Sequence, residues 1–198
     1  MAGVILAVAV PLAVGKNFKL TMLSRIFTLF KHRWLDASDC QRTLPADMLK
    51  RLKDRVSASE QRHSGEIRIC VEAGLPTSYL WRHFWHKVSI RAIMRQRAVM
   101  MFGKLHVWDT EQNNGVLIYL LLAERDIELV ADRGINQHVD EAEWQAIVKR
   151  LSAALHDNKF EDGLTQALEE VSAIMMRHFE LKTDEKNPNE LPNAPFFT

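Results

Sequence analysis

The sequence predicts an α/β fold: a three-layer α/β/α sandwich on a small mixed β-sheet that contains a central hairpin. Three observations predict it. Seven apolar residues run unbroken from Val116 to Leu122, with turn formers on both sides, the pattern of a strand buried on both faces. A second apolar run, Ile127 to Ala131, follows after Glu124-Arg125-Asp126, so the pair reads as a β-hairpin. Segments of helical periodicity precede and follow the hairpin and are numerous enough to cover both faces of the sheet.

Composition sets the outer bounds. A chain of 198 residues with 47% hydrophobic content fits one domain with extensions and a packed core. The formal net charge of +1 gives no bulk attraction to nucleic acid, and none is expected as a partner. The two cysteines, Cys40 and Cys70, do not make a disulfide framework, and reduced buried thiols fit a cytoplasmic protein. Peripheral attachment at the inner membrane is the alternative location.

At the N-terminus, Val4 to Val14 is apolar but contains Pro11 and falls short of the ~20 residues a membrane helix needs. No Lys or Arg precedes it, which suits a signal peptide poorly, and no transmembrane helix is expected. Met22 is a second candidate start. Met22 to Trp34 sets Leu23, Ile26, Phe27, Leu29 and Phe30 among Arg25, Lys31, His32 and Arg33, a short basic amphipathic helix. It reads as a membrane-surface element or as a packing helix over the edge of the domain, with packing favoured. Residues 1–43 are thus taken as an extension, 44–181 as the domain and 182–198 as a disordered tail.

Within the domain, Thr43-Leu44-Pro45 opens a helix with Pro45 in its first turn and Leu49, Leu52 and Val56 inward; Ser64-Gly65 ends the segment, with glycine suited to a left-handed cap. Residues 36–42 before it read as a polar connector. Glu66 to Ala73 is a strand in which Ile67, Ile69 and Val71 alternate with Arg68, Cys70 and Glu72. After the loop at 74–78, residues 79–86 carry three aromatic residues besides Trp81, with His83 and His86 on one helical face; packing or partner binding is favoured there over a metal. Residues 88–107 read as a helix on the sheet, with Arg91, Arg95, Arg97 and Lys104 as a basic edge, read as solvated rather than phosphate-binding, and Gly103 as a place where it bends or stops. Asp140 with Glu143 has capping-box spacing ahead of Trp144, Ile147, Val148, Leu151 and Leu155. The last helix, Phe160 to Phe179, turns Leu164, Leu168, Val171, Ile174 and Met175 inward. The tail holds Pro188, Pro192 and Pro195.

Several of these residues together resemble the TPM domain family: Asn114-Gly115-Val116-Leu117-Ile118, the hairpin with Arg125, Gly134 after the next strand, Gly65-Glu66-Ile67-Arg68-Ile69-Cys70-Val71 upstream, and the helix pair joined at Phe160-x-x-Gly163-Leu164. The resemblance covers Leu44 to Phe179. It implies a three-layer sandwich of a soluble bacterial type, and a cation or phosphate-monoester site near the hairpin. Family members include a thylakoid-lumen protein linked to acid phosphatase activity, membrane-tethered bacterial forms and an animal receptor modulator. The chain departs from the family at Asn113, where many members have an acidic residue. It departs again at Asp132-Arg133-Gly134-Ile135, which holds one glycine where the family often has Gly-x-Gly.

Three functions follow as expectations. The first is an accessory or binding protein with a divalent-cation site. Asp109, Asn113, Asn114, Asp126 and Asp132 supply hard oxygen donors suited to Ca²⁺ or Mg²⁺. Each is also an ordinary turn former, Asp126 above all. The second is a metal-assisted acid phosphatase, with Asp109 or Asp132 on the metal, Arg133 on phosphate, and His106 or His138 as proton donor. No Walker loop, Cys-x5-Arg cradle or Asp-x-Asp pair accompanies it. The third is an interaction module with a protein partner or peripheral membrane contact through residues 22–34 or 79–86.

Overall fold

A computed structural model describes residues 20–35, 37–182 and 187–198. The elements, in chain order, are α1 (Leu20–Trp34), α2 (Ala37–Thr43), α3 (Ala46–Glu60), β1 (Glu66–Glu72), α4 (Thr77–Trp85), α5 (Ile90–Lys104), β2 (Gly115–Leu121), β3 (Asp126–Ala131), α6 (Arg133–Asn136), α7 (Glu141–His156), α8 (Phe160–Phe179) and β4 (Phe196–Phe197). The strands form one mixed sheet in the order β3-β2-β1-β4. β1 runs parallel to β2, from Glu66 opposite Gly115 to Glu72 opposite Leu121. β3 returns antiparallel, from Asp126 opposite Leu121 to Ala131 opposite Val116.

Every residue of β1, β2 and β3 is buried, and the period-2 alternation sorts them between two cores. Ile67, Ile69, Val71, Val116, Ile118, Leu120, Ile127 and Leu129 join the inward stripes of α3, α7 and α8, around the fully buried Trp144. On the other face Cys70, Leu117, Tyr119, Leu121 and Val130 meet Leu80 of α4 and Ile93, Met94, Met101 and Phe102 of α5. The result is the three-layer α/β sandwich read from the sequence.

Several local expectations change. Residues 37–42 of the supposed connector, with Thr43, form α2, which buries Cys40 against the first core. Pro45 is the N-cap of α3 rather than a first-turn residue. Asp140 caps α7 by position, but its side chain makes no capping bond. Gly65 does not adopt a left-handed conformation; no described glycine does. Its constraint is steric: a Cβ there would meet Met175 Sδ at 2.4 Å, so glycine lets α8 sit tightly over the start of β1. α5 runs past Gly103 to Lys104.

The largest change concerns the tail. Disorder is expected for residues 182–198, yet residues 187–198 lie along the outer edge of β1. β4 pairs parallel to β1, with Phe196 opposite Cys70. The Glu66 carboxylate accepts the backbone N–H groups of Glu190 (3.1 Å) and Leu191 (3.2 Å). Arg68 donates to the carbonyls of Pro192 and Ala194, and Asn193 Nδ2 donates to Glu60 Oε2 (2.6 Å) and Ser57 Oγ (2.8 Å). A proline-rich stretch suits a sheet edge, where missing N–H donors leave no gap in a ladder. Here side chains of α3 and β1 hold it.

This edge carries a pH dependence. Burial, then the nearby Glu66 carboxylate, pushes the Glu60 carboxyl up to about 8. Burial pushes the His63 imidazole down to about 4. The folded protein keeps the Glu60 proton that the unfolded chain releases near 4.5, so stability falls as pH rises from 4.5 to about 8. His63 acts oppositely: below 6.5 the unfolded chain takes up a proton that the folded protein refuses until about 4. The two slopes offset each other from pH 4.5 to 6.5, which leaves a net loss of about 2 kcal/mol from pH 6.5 to about 8. Glu66, raised by its own burial, adds to that slope. Urea titrations at pH about 6.5 and 8.5 should show the fall in the wild type and its flattening in Glu60→Gln. An equal fall in both proteins counts against Glu60 as its source.

Candidate functional site

One end of the sheet gathers the starts of β1 and β2 and the end of β3. The connection from α5 arrives there through Thr110 to Asn114. Asn113 takes a positive φ of 52°, a conformation asparagine tolerates better than most residues. Thr110 fixes the turn: its carbonyl accepts from Asn113 N (3.1 Å) and its hydroxyl from Asn114 N (3.1 Å). Asn114 Nδ2 donates to Ser64 Oγ (3.3 Å), which donates to Gln112 Oε1 (2.9 Å). The β3 side is tied in by Asp132 N to Gly115 O and by Gly134 N to Asn113 O, both 2.9 Å.

Four of the residues singled out in the sequence therefore share this end: Asn113, Asn114, Asp132 and Arg133. Asp132 caps the one-turn α6, its Oδ1 accepting from Arg133 N (2.7 Å). Arg133 Nε donates to Asn113 Oδ1 (3.0 Å). Two oxygens are left over. Asn114 Oδ1 and Asp132 Oδ2 are both buried and have no hydrogen-bond partner. Leaving such atoms unmade costs roughly 1–3 kcal/mol each. Burial also pushes the Asp132 carboxyl above the ordinary carboxylate range, against the lowering effect of the Arg133 N–H. Two hard oxygens, one of them on a carboxyl group, are the donor type that hard divalent cations take. The charge count is low, however. Among the described residues no group of three or more His, Cys, Asp or Glu is placed to hold a metal.

The other candidates lie elsewhere or are otherwise engaged. Asp109 is exposed in the loop before the Thr110 turn. Asp126 sits at the opposite end of the sheet, opposite Leu121, where its Oδ1 accepts from Ser152 Oγ (2.6 Å) and its Oδ2 pairs with Arg91 (3.2 Å). It is removed from the site by the length of β3, because the antiparallel return separates the two strand ends. The His138 ring stacks on His178 at 5.0 Å, and the His106 ring lies against Trp108. Neither imidazole donates to Asp132. The ring of His83 is also engaged, its Nδ1 lying 2.7 Å from Val88 O.

Three of the four cations of the supposed solvated edge of α5 are paired, and Lys104 is exposed. Arg91 faces Asp126, Arg95 faces Glu128 (3.3 Å), and Arg97 grips Glu72 through three bonds of 2.5–3.2 Å. Tyr119 Oη donates to the same Glu72 carboxylate (2.5 Å). The signal was present in the sequence: Glu72, Asp126 and Glu128 are acids inside strands. A buried acid needs a cation, and α5 is rich in arginine.

A family model described as the TPM domain matches residues 38–174. A similar solved structure is the NMR structure of the BA42 protein from the psychrophilic bacterium Bizionia argentinensis. It is 25% identical, with a TM-score of 0.65 over 78% of this chain and 95% of that one. No curated protein matches the chain.

Proposed function

The chain belongs to the TPM domain family, and from that premise we propose that it is a binding or accessory module with a weak divalent-cation site at the Asn113–Asn114 and Asp132 end of the sheet. The observation that carries this reading is the pair of buried, unpartnered oxygens, Asn114 Oδ1 and Asp132 Oδ2. A bound Ca²⁺ or Mg²⁺ would satisfy both and bring the Asp132 carboxyl back down. Asn113 would contribute through its position in the turn, since its own Oδ1 is committed to Arg133. With one carboxylate in the set, affinity belongs at the weak end of calcium sites, about 10⁻⁴–10⁻³ M.

Binding is preferred to turnover because a phosphate monoesterase needs a proton donor aimed at the reacting centre, whereas the His138 ring is stacked on His178 and the His106 ring lies against Trp108. Arg133 next to the turn would moderate the affinity for a cation.

Thermal melts test the reading. At about 10 mM Ca²⁺ a site with Kd near 1 mM stabilises by about 1.4 kcal/mol, or roughly 3–6 °C for a chain of this size. Asp132→Ala and Asn114→Ala should each remove that shift while NaCl of equal ionic strength produces none. A wild-type melt indifferent to both Ca²⁺ and Mg²⁺ ends the proposal.

A further inference from the structure

Two aromatic stretches far apart in the sequence lie on neighbouring helices. α1 packs against α4. Leu29 joins the second core, and the buried His32 accepts from Leu75 N through Nδ1 (3.0 Å) and reaches Glu124 Oε1 through Nε2 (2.9 Å). That anchorage turns the opposite stripe outward. Phe27, Phe30 and Trp34, spaced three and four apart, are 71%, 56% and 80% exposed. On α4 Leu80 is buried while Trp81 and Trp85, four apart, are 61% and 59% exposed. Within each helix the exposed rings pair: Phe30 lies 5.9 Å from Trp34 on α1, and Trp81 lies 5.4 Å from Trp85 on α4. A helix covering a domain edge normally turns its apolar stripe inward. These two helices expose theirs, and an apolar patch of this kind marks a contact surface.

Charge identifies the partner. No Asp or Glu occurs between Met1 and Leu35, nor between Glu72 and Asp109, while those stretches hold Lys16, Lys19, Arg25, Lys31, Arg33, Arg82 and Lys87 besides the arginines of α5 that strand acids pair. The chain as a whole is nearly neutral, so the acid is concentrated elsewhere. Arg33 and Arg82 are exposed beside the aromatic rings. Tryptophan and phenylalanine beside the exposed Arg33 and Arg82, with Glu124 taken up by Lys31 and His32 at the flank of α1, match the interfacial zone of an anionic bilayer. Among the described residues no helix is long and apolar enough to cross a membrane, so the contact is peripheral. The sequence ahead of α1 continues the same composition, with apolar Val4 to Val14 followed by Lys16 and Lys19.

We propose that the outward faces of α1 and α4 form one docking surface for an anionic lipid bilayer. It is independent of the cation site, which shares no residue with it. The test uses the full chain with vesicles of phosphatidylcholine alone or mixed equally with phosphatidylglycerol. Binding is followed by sedimentation and by tryptophan quenching with brominated lipid. The wild type should bind the mixed vesicles, lose binding as salt rises, and show quenching. The quadruple variant Phe27→Ser, Trp34→Ser, Trp81→Ser, Trp85→Ser removes exposed rings only and should melt like the wild type. Its vesicle partition should drop at least about tenfold, because the apolar area available to the interface is lost. Arg33→Glu with Arg82→Glu should lower binding to mixed vesicles and leave the rings in place. Failure of the wild type to bind mixed vesicles overturns the proposal. So does unchanged binding by the quadruple variant, which would put attachment on residues outside this face. A concentration-dependent dimer lost in that variant, without vesicle binding, would assign the face to a second copy of the chain instead.

Discussion

Arg97→Met should cost about 3–5 kcal/mol of folding stability, because it breaks a buried ion pair and leaves one partner uncompensated. Glu72 lies inside β1, only 2% exposed, on the face covered by α5. Its carboxylate is held by Arg97 Nε and Nη2 and by the Tyr119 hydroxyl. Burial opposes the charge on Arg97, but the bonds to Glu72 outweigh it and raise the guanidinium pKa further. Burial, and then Glu72, pushes the Tyr119 hydroxyl well above its usual range, so it remains a donor. Methionine fills much of the space but removes the one cation bonded to Glu72 among the described residues, leaving a buried carboxylate with the neutral Tyr119 hydroxyl as its donor there. A surface ion pair would not behave this way, because water replaces a lost partner there. Denaturant titration measures the loss. Glu72→Gln combined with Arg97→Met should recover a large part of it, since removing both charges also removes the uncompensated one. If Arg97→Met matches the wild type, or the double variant is worse than the sum of the singles, the network does not carry this stability.

That network also shows where sequence reading stops. The run from Val116 to Leu122 and the alternation at Ile67, Ile69 and Val71 are local signals, and the sheet and both its covering layers follow from them. Arg97 looked like a solvated residue because helical periodicity gives the direction of a side chain but not what it meets. The acids Glu72 and Glu128 were visible, yet their partners depended on the register of α5 across the sheet. Asp126 read as a turn residue with ligand chemistry, and only the antiparallel return sends it to the far end from Asp132. The tail was misjudged for a related reason. Prolines and asparagines suggest disorder when taken alone, but Glu66 and Arg68 provide an edge that binds exactly the backbone groups such a segment leaves free. Asn114 and Asp132 were found because they flank strands whose pairing was legible. Their unpartnered oxygens were not legible, since they depend on which bonds Ser64 and Arg133 have already made.

Gly134→Ala joins fold and site in one experiment. A Cβ at this position would stand 2.5 Å from Gln112 O and 2.6 Å from Asn113 O. Both are backbone atoms, so neither can swing aside as a flexible side chain would. Gly134 has no positive φ, so the alanine backbone itself is unstrained and the cost is steric alone, about 1–3 kcal/mol. Relief requires the Gln112–Asn113 turn to move away from α6, which stretches the bond from Gly134 N to Asn113 O and separates Asn114 from Asp132. The variant should therefore melt lower and also lose the Ca²⁺-dependent shift, although no proposed ligand has been altered. Gly103→Ala is the matching control, because a Cβ there meets nothing within 4 Å; it should leave the cation response intact. A Gly134→Ala protein that is destabilised but keeps the full cation shift would separate the turn from the site and place the ligands elsewhere. One that is neither destabilised nor altered in its response would mean that α6 approaches the turn less closely than these distances require.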